Sequence, residues 1–281
     1  MNRKRTSFIA ALTAASLAAA VLAAAPGNPA GRQAQRAKAD GVCGLKVVLP
    51  EVKGALPEPL PADRTGPGFA LRGSKGWGWT PEQYLAEIPF LASVRMNFLM
   101  NCYLSMFTDP DKMVNRWWEP IPEAKKKAYE GVVRACRDKG ITFCFAIHPQ
   151  LFSERPLRYD SEEDFRDLWR HFAWMQSLGV RWFSLSYDDI GVEGQDKAGL
   201  ARAQARLVNR LLAKLREKDV QAQMIFCPVY YWGDGTDGDA AAYLRALAGV
   251  LDPRAFVFWT GEGVVTCRVT VRANGGGSGI A

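Results

Sequence analysis

Two adjacent carboxylates, Asp188 and Asp189, are the residues of this sequence best suited to acid–base chemistry. They directly follow an apolar, β-prone stretch at 181–187, which predicts a buried strand. Parallel α/β folds present their chemistry where strands end, at the carboxyl edge of the sheet. The alternative is an Asp pair that caps a helix or fixes a turn. Because similar strand ends recur along the chain, the sequence favours a functional pair.

Aromatic side chains follow two other predicted strands. Trp77 and Trp79 lie in a glycine-rich segment, and the stretch 229–235 carries two tyrosines and a tryptophan. Indole and phenol rings stack on the apolar faces of sugars, and carboxyl groups protonate glycosidic oxygens. The glycines would let the backbone approach a ligand closely, or they would form a tight turn beside packed indoles. Together with the acid pair, these loops indicate sugar chemistry.

The adjacency of the two acids restricts the mechanism. Ordinary glycosidases need two carboxylates on opposite sides of the scissile bond, ~5–5.5 Å or ~6.5–9.5 Å apart. Neighbours at one strand end do not easily straddle a sugar, but they suit a substrate whose own 2-acetamido oxygen is the nucleophile. One acid would orient the acetamido N–H and the other would act as general acid and base. The alternative pairs Asp189 with a distant acid such as Glu262 or Asp234.

Six strand–helix alternations position these loops. The near-continuous apolar strands and short connections predict a parallel sheet covered by helices, an α/β fold of the (β/α)8 TIM-barrel type with about six βα units present. A doubly wound open sheet is the competitor, but no dinucleotide-type glycine motif opens a helix here. The predicted strands are 69–73, 96–103, 141–148, 181–187, 222–228 and 255–261, and the predicted helices are 81–92, 122–139, 161–178, 197–218 and 239–251.

Charge and cysteine content exclude several classes of function. The net charge is +7, but residues 1–40 hold six basic residues and one acid, which leaves a net charge of about +2 on the remainder. A near-neutral body argues against nucleic-acid binding. The six cysteines lack CxxC spacing and only two histidines occur, so we expect no metal site and no cofactor. We expect the cysteines of the predicted core to be buried free thiols.

The amino-terminal segment has the composition of an export signal. Basic residues at 3–5 precede an Ala/Leu-rich run, so residues 1–25 predict a signal peptide and a secreted or periplasmic protein without a stable membrane anchor. The alternative is an uncleaved anchor. Residues 26–66 predict a linker, 67–272 the barrel domain, and 273–281 a disordered tail. The oligomeric state does not follow from the sequence.

Four segments together resemble the landmarks of family 84 glycoside hydrolases. These are β-N-acetylglucosaminidases that include O-GlcNAcases and hyaluronidase-like bacterial enzymes. The matching segments are 96–97, 186–190, 227–231 and 259–265, in the order of the family. The resemblance implies a TIM-barrel catalytic domain, no metal or cofactor, and retaining cleavage through an oxazoline intermediate. It implies a carbohydrate or glycoprotein substrate bearing β-linked N-acetylglucosamine. The alternative is a non-catalytic carbohydrate-binding remnant of such a barrel.

The resemblance also implies roles for individual residues. Asp188 would polarise the acetamido group, and Asp189 would be the general acid and base. The implied substrate-binding residues are Gly76 near the sugar hydroxyls, Tyr231 by the acetamido pocket, and Thr260 and Val264 in the pocket wall.

The sequence departs from the family in two places. The family usually has a substrate-contacting lysine after its second strand, whereas this chain has Asn-Cys-Tyr-Leu-Ser at 101–105, and we expect Tyr103 to replace it. The family also continues into an Asp-Asn-Tyr-Pro segment, whereas residues 274–281 are glycine-rich. We therefore expect a barrel without its seventh and eighth strands.

Overall fold

A computed structural model describes residues 8–9, 69–76, 78–109 and 114–265 of the chain. The predicted linker (26–66) and tail (273–281) lie outside these residues, as does the predicted signal peptide apart from positions 8–9. Along the chain the elements are β1 Phe8–Ile9, β2 Gly73–Gly76, α1 Pro81–Ser93, β3 Phe98–Asn101, α2 Tyr103–Phe107, β4 Thr108–Asp109, β5 Val114–Asn115, α3 Glu123–Asp138, β6 Thr142–Ile147, α4 Glu162–Ser177, β7 Trp182–Ser186, α5 Lys197–Lys218, β8 Gln223–Cys227, α6 Gly238–Val250 and β9 Phe256–Phe258.

The main sheet is parallel throughout and runs in the order β1-β9-β8-β7-β6-β3-β2. β4 and β5 form a separate two-stranded antiparallel sheet. Each of the other strands from β2 to β9 lies beside the next one in the chain, and helices connect them. This is the winding of a (β/α) barrel, present as a six-stranded half-barrel in the described residues. The predicted incomplete TIM-type fold is confirmed. At the far edge, the backbone of Phe8–Ile9 pairs with Val257 and Phe258.

The first core strand is not where the sequence predicts it. We expected a strand at 69–73, but β2 begins at Gly73 and includes the glycine-rich segment itself. A Cβ atom at Gly73 would lie only 2.2 Å from the carbonyl oxygen of Phe98 on β3. The glycine therefore permits a close strand pairing that no larger side chain would allow. Glycine-poor apolar runs predict the other five strands of the half-barrel within about three residues of their observed ends, but they do not predict β4 and β5.

The strands alternate between two faces. One set of side chains, including Phe145, Phe183, Leu185 and Phe226, packs in the large core beneath the helices. The alternate set faces the inside of the half-barrel and forms a smaller cluster of Phe98, Met100, Cys144, Ala146 and Ile225. This period-two pattern means that every second residue of a strand projects toward the interior, where barrel sites form.

Local capping signals place the helices. Thr80 and Gln83 form a capping box at the start of α1, and Ser161 accepts a hydrogen bond from the backbone of Asp164 at the start of α4. The predicted span 197–218 coincides with α5. The four cysteines in the described residues are buried free thiols, as predicted. No helix within the described ranges is long and apolar enough to cross a membrane.

His171 gives the fold a testable pH dependence. It is 2% exposed on α4, its Nε2–H donates to the Trp117 carbonyl at 2.8 Å, and burial lowers its pKa to about 3. The unfolded chain takes up this proton near pH 6.5. The stabilisation is therefore complete above that pH and is lost as the pH falls toward 3. Between pH 6.5 and 5 we expect His171 to lower the free energy of unfolding by about 1.5 kcal/mol.

Urea denaturation of the chain and of His171→Gln at pH 6.5 and pH 5 measures this effect. The variant should lose about 1.5 kcal/mol less than the parent across the interval. His148, whose pKa burial also lowers, acts in the same direction and is common to both proteins. Equal losses in the two proteins would show that His171 does not carry the effect.

Candidate active site

The acid pair lies where β7 leaves the sheet. Alternation along the strand sends Tyr187 into the helix-covered core and returns Asp188 to the interior face above Ser186. Asp188 is buried, at 9% exposure, whereas Asp189 is exposed. The backbone of Asp189 has φ 59°, in the left-handed region that Asp tolerates better than most residues. That conformation turns the chain sharply, so the two neighbouring carboxylates have different surroundings.

Asp188 is held by Tyr103 at the start of α2 and by His148, which follows β6. The Tyr103 hydroxyl donates to Oδ2 at 2.9 Å, and His148 Nε2 lies 2.7 Å from the Asp188 carbonyl oxygen. The other carboxylate oxygen, Oδ1, is buried and accepts no hydrogen bond from any residue that the structure describes. It lies 3.7 Å from His148 Nε2, whose hydrogen is already engaged by the carbonyl. Asp188 therefore presents one anchored oxygen and one acceptor with unused capacity.

His148 is a positioning group in this arrangement. Its Nδ1 accepts hydrogen bonds from the backbone N–H groups of Gln150 and Leu151, at 3.3 and 3.0 Å. The hydrogen is therefore on Nε2, which donates to Asp188. Burial lowers the pKa of His148, so the ring stays neutral near pH 7. These contacts make His148 a hydrogen-bonded residue at the end of its strand.

Asp189 is held from the β8 side of β7. The Tyr231 hydroxyl donates to its Oδ1 at 2.8 Å, and burial together with this bond raises the pKa of Tyr231. The Tyr231 loop is attached to the segment after β9 through Thr260 N, which donates to the Tyr231 carbonyl at 2.9 Å. Thr260 Oγ1 also donates to the Gly263 carbonyl at 2.7 Å. Thr260 thus acts on the site by fixing the loop that carries Tyr231.

Burial raises the pKa of two neighbours of Asp188. The Tyr103 phenol is buried and lies beside the Asp188 charge, and both effects raise its pKa, so it remains a hydrogen-bond donor. Cys227, at the end of β8, is buried beside the same carboxylate, and its pKa is raised for the same two reasons. Its thiol is therefore protonated at neutral pH. The sequence predicts Tyr103 as a substrate-binding residue, a role that stays a prediction, and it predicts no role for Cys227.

Two predicted substrate-binding residues have other contacts. The Gly76 carbonyl accepts a hydrogen bond from the Tyr84 hydroxyl at 3.0 Å, and a Cβ at Gly76 would lie 2.2 Å from the Trp79 ring. Gly76 therefore has a packing reason to be glycine. Val264 is 54% exposed in the loop after β9. No contact in the described residues joins either of them to the acid pair, and their roles toward a sugar stay predictions.

The distant acids considered as partners for Asp189 are less well placed to act as such. Asp234 is exposed and accepts hydrogen bonds from the backbone and hydroxyl of Thr236, at 2.9 and 2.7 Å, within its own turn. Glu262 is exposed. In the part of the chain that the structure describes, no cluster of three or more His, Cys, Asp or Glu side chains could hold a metal ion.

One residue near the acids was missed. Lys75 lies on β2, and its Nζ is 4.2 Å from the centre of the Tyr103 ring. The glycine content of this segment predicts a loop, whereas the structure has a strand. The alternation Gly-Ser-Lys-Gly was the available signal, because it sets Ser74 and Lys75 on opposite faces of a strand.

A parallel half-barrel with paired carboxylates and tyrosines at its carboxyl edge is the site architecture of barrel glycosidases. Comparison with known proteins gives the family. Residues 72–274 match the family model described as beta-N-acetylglucosaminidase. The chain belongs to this family, which confirms the resemblance to family 84 glycoside hydrolases.

Solved structures give the same result. A mutant of the O-GlcNAc hydrolase of Thermobaculum terrenum is 26% identical over 72% of this chain, with a TM-score of 0.59. A structure named CpGH84B is also 26% identical, over 70% of this chain, with a TM-score of 0.58. The present chain covers 42% of the first of these proteins and 34% of the second.

Proposed function

We propose that this chain carries the catalytic barrel of a retaining β-N-acetylglucosaminidase, which hydrolyses terminal or internal β-linked N-acetylglucosamine with the substrate's own 2-acetamido group as nucleophile. Family membership supports the proposal. The observation that carries it is the environment of Asp188, whose Oδ2 is anchored by Tyr103 while its buried Oδ1 has no donor among the described residues. Because this oxygen is enclosed by protein atoms, the carboxylate would turn slightly to accept a hydrogen bond from the N–H of the acetamido group.

In the first step the acetamido N–H would donate to Asp188. This contact orients the amide and increases the negative charge on its oxygen, which attacks the anomeric carbon. The bond between that carbon and the leaving oxygen breaks, and Asp189 gives its proton to the leaving oxygen. The products of this step are an oxazolinium ring paired with the Asp188 carboxylate, an ionised Asp189 and the released aglycone.

In the second step water would open the ring. Asp189, now a carboxylate, accepts a proton from the water while the water oxygen bonds to the anomeric carbon. The bond to the amide oxygen breaks, and the acetamido group is restored. Two displacements at one carbon leave the product with the configuration of the substrate.

The different surroundings of the two acids fit these two roles. Asp188 is 9% exposed and anchored by Tyr103, which suits a residue that faces the charge of the intermediate in a site of low dielectric. Asp189 is exposed, and Tyr231 holds one of its oxygens, so the carboxyl group can reach both a leaving group and water. We further propose that the substrate is a glycan or glycoprotein met outside the cytoplasm, which the predicted signal peptide at 1–25 supports.

Turnover of paired aryl glycosides by the full chain tests this function. We expect release of nitrophenol from the β-N-acetylglucosaminide and at least ~10³-fold less from the β-glucoside, which lacks the internal nucleophile. Proton NMR should show the β anomer of the sugar as the first product. Comparable cleavage of both substrates would favour Asp189 paired with a distant acid. No cleavage, with calorimetric binding of N-acetylglucosamine, would favour a carbohydrate-binding remnant.

A further inference from the structure

Lys75 projects into the interior of the half-barrel toward the acid site. It pairs in register with Met100 of β3, which belongs to the cluster on the inner face of the sheet. β3 ends at Asn101, and Tyr103, three residues beyond Met100, places its ring beneath the Lys75 ammonium. The same ring donates its hydroxyl hydrogen to Asp188. A continuous chain of contacts therefore joins the lysine to the proposed catalytic carboxylate.

The charge of Lys75 acts on the groups around Asp188. Burial is the main reason that the pKa of His148 is lowered, and the Lys75 charge lowers it further. The same charge opposes the rise in the pKa of Cys227, which burial and Asp188 produce. His148 and Cys227 lie on either side of Asp188, at the ends of β6 and β8. The ammonium group is thus close enough to influence the whole environment of this carboxylate.

Lys75 lacks the contacts that explain other partly buried lysines. Lys197 Nζ donates to the carbonyls of Val192 and Gln195 and pairs with Asp239 at 3.4 Å. Lys125 Nζ donates to two carbonyls, at 3.0 and 3.4 Å. Within the described residues, Lys75 Nζ donates no hydrogen bond and forms no ion pair, although it could donate three. Its contact with an aromatic face leaves these donors available to a ligand.

The order of the strands indicates which part of the sugar the Lys75 ammonium would contact. Asp189 accepts a hydrogen bond from Tyr231 on the β8 side of β7. Asp188 accepts one from Tyr103 on the β3 side of β7, and Lys75 lies one strand further out, on β2. If Asp189 protonates the glycosidic oxygen, carbon 1 lies toward β8. The acetamido group on carbon 2 then lies over Asp188, and carbons 3 and 4 lie toward β2.

We infer that Lys75 is a substrate-positioning residue whose ammonium donates a hydrogen bond to a hydroxyl on carbon 3 or 4 of the N-acetylglucosamine unit. This inference rests on the proposed function, since it takes the orientation of the sugar from the roles of the two acids. The contact holds the ring so that its acetamido N–H reaches Asp188. The same contact would let the site distinguish sugars by their hydroxyl groups at carbons 3 and 4, through a residue of β2.

Deoxy substrates test this contact. We would measure kcat/KM of the full chain, Lys75→Met and Lys75→Arg on a nitrophenyl β-N-acetylglucosaminide and on its 3-deoxy and 4-deoxy analogues. Lys75→Met should lose about 10- to 100-fold on the complete substrate, the range of a charge-assisted hydrogen bond. On the analogue that lacks the contacted hydroxyl, Lys75→Met and the parent should be equal. Lys75→Arg should recover part of the loss.

Lys126→Met is the matched control, because this lysine pairs with Glu123 on the surface of α3 and should leave all rates unchanged. An equal loss by Lys75→Met on all three substrates, or no loss on any, would overturn the inference. Calorimetric titration with a thiazoline analogue of the oxazoline separates the two proposals. A parent chain that neither cleaves the glycoside nor binds the analogue rejects the proposed function, and the Lys75 inference with it. If the parent chain cleaves the glycoside or binds the analogue, and Lys75→Met behaves as the parent does, only the inference about Lys75 is rejected.

Discussion

Replacing Asp189 with Asn lowers kcat/KM on an N-acetylglucosaminide with a poor leaving group by about 10²–10⁴-fold, the usual contribution of a general acid. In the proposed mechanism the exposed carboxyl group of Asp189 is the proton donor, and an amide cannot replace it. The loss should be much smaller with a dinitrophenyl leaving group, which departs without a proton. A series of aryl glycosides with leaving groups of graded pKa measures the difference. An equal loss across the series would show that Asp189 does not protonate the leaving oxygen.

Asn is the appropriate substitution because of the backbone at this position. Asp189 has φ 59°, and Asn adopts the left-handed region about as readily as Asp does. Its amide oxygen can still accept the hydrogen bond from Tyr231. Asp189→Ala would place alanine, which has a Cβ but no polar side chain, in the left-handed conformation, and this would lower the free energy of unfolding by about 1–2 kcal/mol. Thermal denaturation of both variants separates the loss of chemistry from the loss of stability.

The strands and helices that the sequence predicts best are those with long, uninterrupted patterns. The helical period predicts a helix at 197–218, which is the observed span of α5, and apolar runs predict β6, β7 and β8. The apolar pattern predicts that the second strand continues through Tyr103, whereas β3 ends at Asn101 and α2 begins at Tyr103. The apolar run Phe-Leu-Met-Asn-Cys-Tyr-Leu continues across that change, so composition alone does not mark where the strand ends.

The site residues that directly follow an apolar strand were predictable from the sequence, whereas the one in a glycine-rich strand was missed. Asp188 and Asp189 are conspicuous because they end a strand. Lys75 is a single charge in Gly-Ser-Lys-Gly, and a segment without large side chains has no hydrophobic pattern that identifies it as a strand. Tertiary pairing with β3 makes it one. The unused acceptor on Asp188 also depends on three strands meeting, which no local pattern encodes.

Replacing Asp188 with Asn should lower kcat/KM by about 10²–10³-fold, the range for loss of a single preorganised electrostatic group. The Asn oxygen would accept from Tyr103 in place of Oδ2, which directs the NH₂ group to the position of Oδ1. A donor would then face the acetamido N–H, and the charge that balances the oxazolinium would be absent. Tyr103→Phe keeps the charge and removes only its anchor, so it should lose about 10- to 100-fold.

The leaving-group series assigns the two aspartates independently of the size of either loss. Ring closure by the acetamido oxygen is required whichever group departs, so the loss in Asp188→Asn should be nearly constant across the series. The loss in Asp189→Asn should grow as the leaving group becomes more basic, because only that residue supplies the proton. Tyr231→Phe should follow the Asp189 pattern and Tyr103→Phe the Asp188 pattern, since each tyrosine is bonded to one acid. A constant loss for Asp189→Asn with a graded loss for Asp188→Asn would reverse the assignment, and the buried carboxylate would then have to be the one that meets the leaving group.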